Sequence, residues 1–388
     1  MGIIISTYVR WAIGGSPIVG KQFPFFAIIN RHETLRINGR LLMTKKFGII
    51  GCGMIANFHA KAIQAAGGSF VACFDTRREA ADRLAEQYQG CTPYHDLTTF
   101  LADTNIDIVT VGTPSGAHLE PAVAAAGAGK HVIVEKPLEI TLERCNKIIA
   151  ACQKSQVQLA TIFPSRFHDS SLVLKSAVNA GRFGRLTLGD AVIKWYRSQE
   201  YYDSGAWRGT WELDGGGALM NQGIHTIDLL TWLMGPVVEV MAHTALLAHE
   251  RIEVEDTAVA ALKFANGALG TIVGTTASYP GYLKRVEISG SKGSAILEEE
   301  DIIRWDFAEP LPSDAVVHEA MAHRTSGGGG AADPAAINFS GHTKLFANVL
   351  AAIDGKETLV ADGHEGCRSV EIILAIYQSA KTGQVVKL

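Results

Sequence analysis

The sequence lacks the features that indicate a membrane span, a nucleic-acid surface or a disulfide framework. Its 388 residues contain no uninterrupted apolar stretch of the roughly 20 residues that cross a bilayer. The 35 Lys and Arg residues form no concentrated run, and the formal net charge is −4, so we expect no nucleic-acid partner. The six cysteines are scattered, without a C-x-x-C pair. These absences favour a reduced protein of the cytoplasm.

The first 42 residues differ in character from the rest of the chain. Apolar groups at residues 3–5 and 23–26 are interrupted by basic residues, and no basic start precedes them as it would in a signal peptide. Met43 stands just before the first strand pattern. We interpret residues 1–42 as an extension, either a disordered arm or the product of an upstream start, and we expect it to be dispensable.

Between residues 46 and 163, short apolar runs alternate with helical patterns. Alternation at this spacing predicts a doubly wound parallel sheet, a Rossmann arrangement, whose ligand lies outside the carboxyl ends of the strands. We expect this first domain to cover residues 43–165.

The pattern changes after residue 165. Alternating strands with turn signals between residues 237 and 306 predict a mostly antiparallel open sheet, and hence an α+β domain over residues 166–388. A Gly-rich and Ala-rich segment, residues 310–338, predicts a long loop. Two C-terminal helices follow, and they could pack back on the first domain.

The most informative motif is G-C-G-M-I-A at residues 51–56, which follows an apolar run and opens a helix. Gly51 permits a tight turn, and Gly53 lets the backbone approach a pyrophosphate, to which the helix N-terminus offers free N–H groups. The next strand ends in Asp75, whose carboxylate can accept hydrogen bonds from both ribose hydroxyls. We predict dinucleotide binding, with NAD preferred because Asp75 would repel a 2′-phosphate. Arg77 and Arg78 keep NADP possible.

Further motifs resemble the Gfo/Idh/MocA family of glucose-fructose-oxidoreductase-like and inositol-dehydrogenase-like enzymes over residues 46–388. The motifs are Thr113-Pro114 with His118, Glu135-Lys136-Pro137, G-G-G-A-L-M-N-Q-G-I-H-T-I-D at residues 215–228, and A-I-Y-Q-S-A-K-T-G at residues 375–383. The resemblance implies a Rossmann domain and an α/β domain whose open sheet often mediates oligomerisation, so we expect a homodimer or homotetramer.

The same resemblance implies NAD(P)-dependent oxidation or reduction of a secondary hydroxyl on a sugar, a sugar derivative or a cyclitol. It also implies a sharp turn with a cis peptide between Lys136 and Pro137. The cofactor-binding residues predicted from the motifs are Gly51, Gly53, Met54, Ile55, Asp75, Thr113, Pro114, His118, Glu135 and Lys136.

Oxidising an alcohol also requires a group that takes the hydroxyl proton. Lys136 ends a strand beside the expected nicotinamide and can hydrogen-bond the reacting hydroxyl. We assign His225 as base or proton shuttle, with Asp228 either orienting it or stabilising local structure. Inositol-dehydrogenase-like members carry Asp where this chain has Asn221, and an amide cannot accept a proton at neutral pH. The catalytic base is then His225 or Lys136. A substrate oxidised at C3 of a nucleotide-linked sugar or glycoside becomes more credible than inositol.

Other polar and aromatic residues are placed to meet a substrate. Arg166 follows a strand end and could bind a substrate group or form a structural salt bridge. The loop with Tyr196, Trp207 and Arg208 suits sugar faces and anionic groups, although a hydrophobic cluster or a subunit contact would also explain it. The predicted substrate-binding residues are Arg166, Tyr196, Trp207, Arg208, Asn221 and His225.

Two functions remain beside the dehydrogenase. The first is an NAD-dependent glycosidase that oxidises C3 transiently, and the second is a non-catalytic sensor of a sugar or dinucleotide. We expect no metal site, because His225 and Asp228 alone lack the remaining ligands.

Overall fold

The structure is a computed structural model that describes residues 34–37, 40–323 and 339–388. The chain separates into two compact units, residues 1–44 and 45–388. In the first unit, strands β1 (Thr34–Ile37) and β2 (Arg40–Met43) pair as an antiparallel hairpin. The two strands are separated in sequence by Asn-Gly, a pair typical of hairpin turns. The extension predicted over residues 1–42, a disordered arm or the product of an upstream start, stays a prediction. The rest of the predicted extension lies outside the described residues.

A parallel sheet and its helices open the second unit, as predicted. Except at the edge strand β5, most strand residues are buried, which explains why these sequences are continuous apolar runs rather than alternating patterns. They are β3 (Lys46–Ile50), β4 (Ser69–Phe74), β5 (Thr92–Tyr94), β6 (Ile108–Val111), β7 (His131–Val134) and β8 (Leu159–Thr161). The helices between them are α1 (Met54–Ala65), α2 (Arg78–Glu86), α3 (Leu97–Ala102), α4 (Leu119–Gly127) and α5 (Leu142–Lys154).

The order of these strands creates the crevice in which a ligand is expected. The sheet runs β5-β4-β3-β6-β7-β8, so the chain winds in one direction from β3 to β5 and in the other from β6 to β8. The crevice of a doubly wound sheet opens where this direction reverses, between β3 and β6. The loops after β3, β6 and β7 therefore converge on one edge.

The second sheet has eight strands and is mostly antiparallel, as predicted. Its strands are β9 (Leu186–Lys194), β10 (Val237–Ala245), β11 (Thr257–Phe264), β12 (Leu269–Thr275), β13 (Arg285–Gly290), β14 (Gly293–Glu298), β15 (Asp301–Phe307) and β16 (Val386–Lys387). The order is β15-β14-β13-β9-β12-β11-β10-β16, with a parallel pair only at β9 and β12 among these. Alternate residues of β11 are buried and exposed, so one face packs on helices and the other stays open.

The helices of the second half correct two predictions. They are α6 (Asp169–Asn179), α7 (Gln199–Asp203), α8 (Ile224–Met234), α9 (Asp314–Ala322), α10 (Ser340–Ile353) and α11 (Gly363–Thr382). The segment expected to form one helix from residue 216 begins instead as a π-helix, Ala218–Gly223. The expected loop over 310–338 contains α9, because Asp314 accepts hydrogen bonds from Arg182 (2.6 Å) and from Trp305 Nε1 (2.8 Å). Residues 324–338 lie outside the described part. None of the described helices is long and apolar enough to span a bilayer.

The C-terminal helices complete the core of the first sheet. Phe346 on α10 is fully buried and packs edge-on against Phe47 of β3, with ring centroids 5.8 Å apart. Beside α11, the carbonyl of Ala361 accepts a 2.9 Å hydrogen bond from the backbone N–H of Thr161 in β8. The two halves of the chain are therefore tied together by packing and by a backbone bridge.

Candidate active site

Residues 51–56, which we name the dinucleotide loop, connect β3 to α1. Gly51 has φ +92°, and a Cβ there would lie 2.7 Å from the carbonyl oxygen of Gly112, so only glycine fits. A Cβ on Gly53 would meet nothing within 4 Å. Gly53 is also the N-cap of α1 and has no side chain to cap the helix, so the first N–H groups stay available to an anion. The loop therefore has the open space and the donors that a pyrophosphate needs.

Asp75 follows β4 and is held against the dinucleotide loop. Its Oδ2 accepts a hydrogen bond from the backbone N–H of Cys52 (2.9 Å), and its Oδ1 accepts one from the N–H of Arg77 (2.8 Å). The side chain of Arg77 is mostly exposed, 3.5 Å from the carboxylate. The carboxylate is thus fixed at the strand end, where ribose hydroxyls are expected, and these residues fit an NAD adenosine ribose.

His118 is engaged by two backbone carbonyls. Its side chain is buried, and its ring nitrogens each lie 2.9 Å from a backbone carbonyl oxygen, Nε2 from Thr113 and Nδ1 from Pro137. Burial lowers the pKa of His118, while the two carbonyls raise it. The ring therefore ties the loop after β6 to the turn after β7. The predicted cofactor contacts of Thr113, Pro114 and His118 stay predictions.

Glu135 fixes the backbone at the start of this turn. Its Oε1 is 2.7 Å from Nε2 of His59, whose Nδ1 is 3.1 Å from Oγ1 of Thr110, and its Oε2 accepts a 3.1 Å hydrogen bond from the N–H of Lys136. Burial would raise the pKa of Glu135, but the hydrogen bond and charge of His59 bring it down to about 2. His342 lies close by, and potential ligand atoms of His59, Glu135 and His342 fall within 4.8 Å of one another. Two of these atoms, His59 Nε2 and Glu135 Oε1, already bind each other directly. The absence of a metal site stays our prediction. A cofactor contact of Glu135 stays a prediction too.

Lys136 reaches from the end of β7 into the second half of the chain. The Lys136–Pro137 peptide is cis, as predicted. The Lys136 Nζ donates a 2.9 Å hydrogen bond to the backbone carbonyl of Asn221, in the π-helix. Burial lowers the pKa of Lys136, and the nearby charges of Arg197 and Arg208 lower it further, while Glu135 and Asp214 raise it. The amine is therefore closer to neutrality than an ordinary lysine.

His225 stands in the first turn of α8, where the π-helix ends. Its ring packs edge-on against Phe163, with centroids 5.9 Å apart, and its buried Nδ1 has no hydrogen-bond partner in the described part of the chain. Burial lowers the pKa of His225 well below its ordinary value, and the positive charges of Lys136 and Lys284 lower it further. A neutral imidazole with a free nitrogen can accept a proton, which suits the predicted base.

Asp228 and Arg166 form a structural network rather than a substrate site. Arg166 Nε and Nη2 donate to the Asp228 carboxylate (2.8 and 2.7 Å), and Nη2 also reaches Glu365 (2.7 Å). Its Nη1 donates to the carbonyl of Val360 (2.9 Å), and the side chain is 1% exposed. The prediction that Arg166 binds substrate is therefore wrong, and Asp228 is engaged by Arg166 instead of orienting His225.

Residues 215–217, the glycine triplet, position the π-helix. A Cβ on Gly215, Gly216 or Gly217 would overlap the side chain of Ile140, the hydroxyl of Tyr377 or the carbonyl of Glu255, respectively. Only glycine therefore fits at these three positions. The backbone N–H of Gly217 also donates to the Glu255 carboxylate (2.9 Å). The triplet thus sets where the following π-helix presents Asn221.

Asp214, immediately before the glycine triplet, is a site residue that the sequence reasoning missed. Its side chain is 2% exposed. Its Oδ1 accepts a hydrogen bond from Nδ2 of Asn221, and its Oδ2 accepts one from the N–H of Gly209 (2.9 Å). A carboxylate therefore stands beside Lys136 and Asn221 even though position 221 is an amide. Its place directly before three glycines is the only signal in the sequence that could have identified it.

Cationic side chains stacked on aromatic rings line the same region. The Arg208 guanidinium lies 4.2 Å from the ring centroid of Tyr201 and 4.5 Å from that of Trp207. Within the described residues Arg208 has no side-chain hydrogen bond or ion pair, and its Nε is buried. Tyr196 packs instead on Tyr279, with centroids 5.2 Å apart. The substrate contacts of Tyr196, Trp207 and Arg208 remain predictions, and Arg208 has the geometry of an anion-binding group.

Comparisons with known proteins agree with this arrangement. Residues 45–163 match the family model described as "Oxidoreductase family, NAD-binding Rossmann fold", and residues 172–296 match "GFO/IDH/MocA C-terminal domain". A myo-inositol 2-dehydrogenase of Thermotoga maritima is 31% identical over 261 residues, which are 64% of this chain and 73% of that protein.

Two further relatives extend over nearly the whole length of both chains. A D-glucoside 3-dehydrogenase of Escherichia coli is 26% identical over 88% of this chain and 97% of its own. A solved structure of the WlbA dehydrogenase from Bordetella pertussis, in complex with NADH and UDP-GlcNAcA, superposes with a TM-score of 0.81 at 38% identity. It covers 89% of this chain and 98% of the other.

Proposed function

The chain is an oxidoreductase of the GFO/IDH/MocA family, and we propose that it oxidises a secondary hydroxyl of an anionic, nucleotide-linked sugar. NAD, when bound, accepts the hydride. The ring carbon becomes a ketone, and one proton leaves the hydroxyl. This chain therefore has to bind the anion, orient the hydroxyl and take the proton.

Lys136 and His225 are the residues that orient the hydroxyl and take its proton. Lys136 lies at the end of β7 and His225 at the start of α8, and the two are close enough for the charge of Lys136 to lower the pKa of His225. The depressed pKa of His225 keeps the imidazole neutral near pH 7, so that it can accept the hydroxyl proton. The Lys136 amine, held by the carbonyl of Asn221, donates a hydrogen bond to the substrate oxygen.

The single observation that carries the substrate class is Arg208. A guanidinium that lies over two aromatic rings and forms no salt bridge within the described residues is completed by an anion on the substrate. Lys136, Arg197 and Arg208 add positive charge to the same region, and Lys284 lies close enough to act on His225. A neutral cyclitol would offer the Arg208 guanidinium no charged partner. The bound sugar acid in the Bordetella pertussis enzyme carries both a nucleotide and a carboxylate, which favours the same class for this chain.

The proposal is tested by following absorbance at 340 nm with NAD and a matched panel of substrates. The panel contains UDP-GlcNAcA, UDP-GlcNAc, free glucuronate, myo-inositol and a simple glycoside. We expect the fastest turnover with UDP-GlcNAcA. Turnover of myo-inositol in preference to both nucleotide sugars would refute the proposal. Cleavage of the glycoside without net formation of NADH would indicate the transient-oxidation glycosidase instead.

The role of Arg208 is tested with Arg208→Gln and a matched control. Losing hydrogen bonds to a charged group costs about 1.5–3 kcal/mol, which corresponds to a rise in KM of roughly 10- to 100-fold for the anionic sugar. Arg304→Gln is the control, because Arg304 on β15 is exposed and pairs only with Asp306 among the described residues. Equal KM values for Arg208→Gln and wild type would remove the argument for an anionic substrate.

A further inference from the structure

We infer that Asp214 is a positioning residue for the proposed oxidation, because its carboxylate holds the Asn221 side chain while the Asn221 backbone holds the amine of Lys136. The inference rests on the proposed function. Asp214 Oδ1 accepts from Asn221 Nδ2, and Lys136 Nζ donates to the Asn221 carbonyl at 2.9 Å. One residue therefore links a buried carboxylate to the reacting amine. In this chain the carboxylate that position 221 lacks stands seven residues earlier, at position 214.

The Asn221 amide is oriented from both ends. Its Oδ1 accepts a hydrogen bond from Nε2 of Gln222, and its Nδ2 donates to Asp214. Gln222 is held in turn, since its Oε1 accepts from Nε of Arg197 at 3.0 Å and its Nε2 reaches the hydroxyl of Tyr201 at 3.0 Å. This chain of hydrogen bonds accepts only one orientation of the amide, with its nitrogen toward Asp214.

The pairing also explains why position 221 is an amide. With Asp at both positions, two buried carboxylates would lie in direct contact, and like charges at that distance cannot both ionise readily. An Asp–Asn pair carries a single negative charge and a hydrogen bond between its members. The carboxylate could equally stand at either of the two positions, provided that the other is an amide.

The charge of Asp214 acts on Lys136 together with burial and three other charged groups. Glu135 and Asp214 raise the pKa of Lys136, while burial, Arg197 and Arg208 lower it. Burial raises the pKa of Asp214, and the positive charges of Lys136 and Arg208 lower it. Removing the negative charge from position 214 therefore lowers the pKa of Lys136, and moving it to position 221 restores that pKa. A carboxylate with only a structural role, such as holding Gly209, would not transfer in this way.

The test compares Asp214→Asn, Asn221→Asp and the double variant in which the two side chains are exchanged. Glu212→Gln is the control, because Glu212 is an exposed acid in the same loop. The Lys136 pKa is measured by competitive acylation with acetic anhydride over a pH series, followed by mass spectrometry of the peptide that contains Lys136. This measurement needs no substrate, so it remains decisive even if the proposed function fails. NAD binding and melting temperature report whether each variant is folded.

We expect Asp214→Asn to lower the Lys136 pKa by about one unit, equivalent to about 1.4 kcal/mol. Asn221→Asp should change it little, because the two adjacent carboxylates share one proton. In turnover of UDP-GlcNAcA, Asp214→Asn should reduce kcat by roughly 10- to 100-fold with little change in KM, as for a lost acid–base positioning group. The exchanged double variant should recover both the pKa and most of kcat. An unchanged Lys136 pKa in Asp214→Asn, or an exchanged variant no better than Asp214→Asn, would overturn the inference. If Asp214→Asn does not fold, an exchanged variant that folds but whose Lys136 pKa falls below the wild-type pKa by one unit or more overturns it equally.

Discussion

Gly53 in the dinucleotide loop and Gly217 in the glycine triplet each precede a helix, yet an added methyl group would meet opposite surroundings. At Gly53 it would find open space, whereas at Gly217 it would overlap the carbonyl of Glu255. The first glycine leaves room for a ligand, and the second leaves room for the protein's own backbone. The dinucleotide loop thus serves binding directly, while the triplet serves chemistry indirectly by placing the π-helix and α8.

The largest effect should come from the groups that the turn after β7 and the glycine triplet bring together. Lys136→Met and His225→Phe should each reduce kcat by about two to four orders of magnitude, the usual contribution of positioned acid–base groups. Both variants should bind NAD normally, because the dinucleotide loop is untouched. Isothermal titration with NAD and steady-state kinetics with UDP-GlcNAcA separate the two regions.

Lys147→Met is the matched control, since Lys147 is exposed on α5 and pairs only with Glu143 among the described residues. A kcat within threefold of wild type in both active-site variants would mean that the chemistry occurs elsewhere. Loss of NAD binding in either would contradict the division of labour between the two regions.

Substituting the two glycines tests this difference most directly. Gly217→Ala forces the backbone apart and should cost about 1–3 kcal/mol of unfolding free energy, as overpacking does, and it should lower kcat. Gly53→Ala should change the unfolding free energy by no more than about 0.5 kcal/mol but weaken NAD binding about tenfold. Urea denaturation and NAD titration measure both variants. A stable, active Gly217→Ala protein would show that the triplet does not set the π-helix.

Asp75 sharpens the account of the first region. Asp75→Asn removes the negative charge that opposes a 2′-phosphate while keeping one oxygen, which can accept a hydrogen bond from the N–H of either Cys52 or Arg77. We expect the ratio of NAD to NADP affinity to fall about tenfold, or about 1.4 kcal/mol. Glu86→Gln, an exposed acid on α2, should leave the ratio unchanged. Tighter binding of NADP than NAD by the wild-type protein would refute the assignment of Asp75.

The pH dependence of kcat tests the assignment of His225 as the base. The depressed pKa of His225 means that its imidazole stays neutral as the pH falls below the ordinary value of 6.5, so activity should persist there. The acid limb of the kcat profile should therefore lie below pH 6.5 and should disappear in His225→Gln, which cannot titrate. An acid limb above pH 6.5 that survives this substitution would assign the base to another group.

The smallest effect should come from removing residues 1–42. A variant that begins at Met43 loses β1 and all of β2 except Met43, and these two strands pair only with each other in the described sheets. We expect its melting temperature to stay within about 2 °C of the full chain and its NAD affinity to be unchanged. A larger fall in melting temperature would show that the first unit stabilises the second.

The contrast between the regions also explains what could be predicted from the sequence. The dinucleotide loop was recognisable because all of its requirements are local: a buried run, two glycines, a helix and an acid at the next strand end. The role of Arg166 was not, because its partners Asp228 and Glu365 are 62 and 199 residues away. A spacing rule cannot distinguish a free guanidinium from one that distant carboxylates neutralise.

Two other roles in the site could not be predicted for the same physical reason. His118 belongs to a recognised motif, but whether its ring faces a cofactor or two backbone carbonyls depends on the path of the turn at Pro137. Asp214 went unnoticed because its importance arises from contact with Asn221, across three glycines and a π-helix. Helix periodicity predicts an α-helix there, and it contains no signal for the wider turn. Most strands and helices could be predicted because burial leaves a hydrophobic pattern in the sequence of each element. The tertiary partners of a side chain leave no such pattern in the sequence.

The packing of Phe346 against Phe47 has a consequence for the order in which the protein is made. One face of the first sheet is covered partly by α10, whose residues Leu345, Phe346 and Val349 belong to the same buried cluster as Phe47 and Ile49. A ribosome finishes β8 long before it reaches these residues, so part of this apolar face lacks its cover until α10 has been made. We therefore expect the core of the first domain to be completed only after the last helices have been translated, and a chain released early to expose apolar surface of the kind that promotes aggregation.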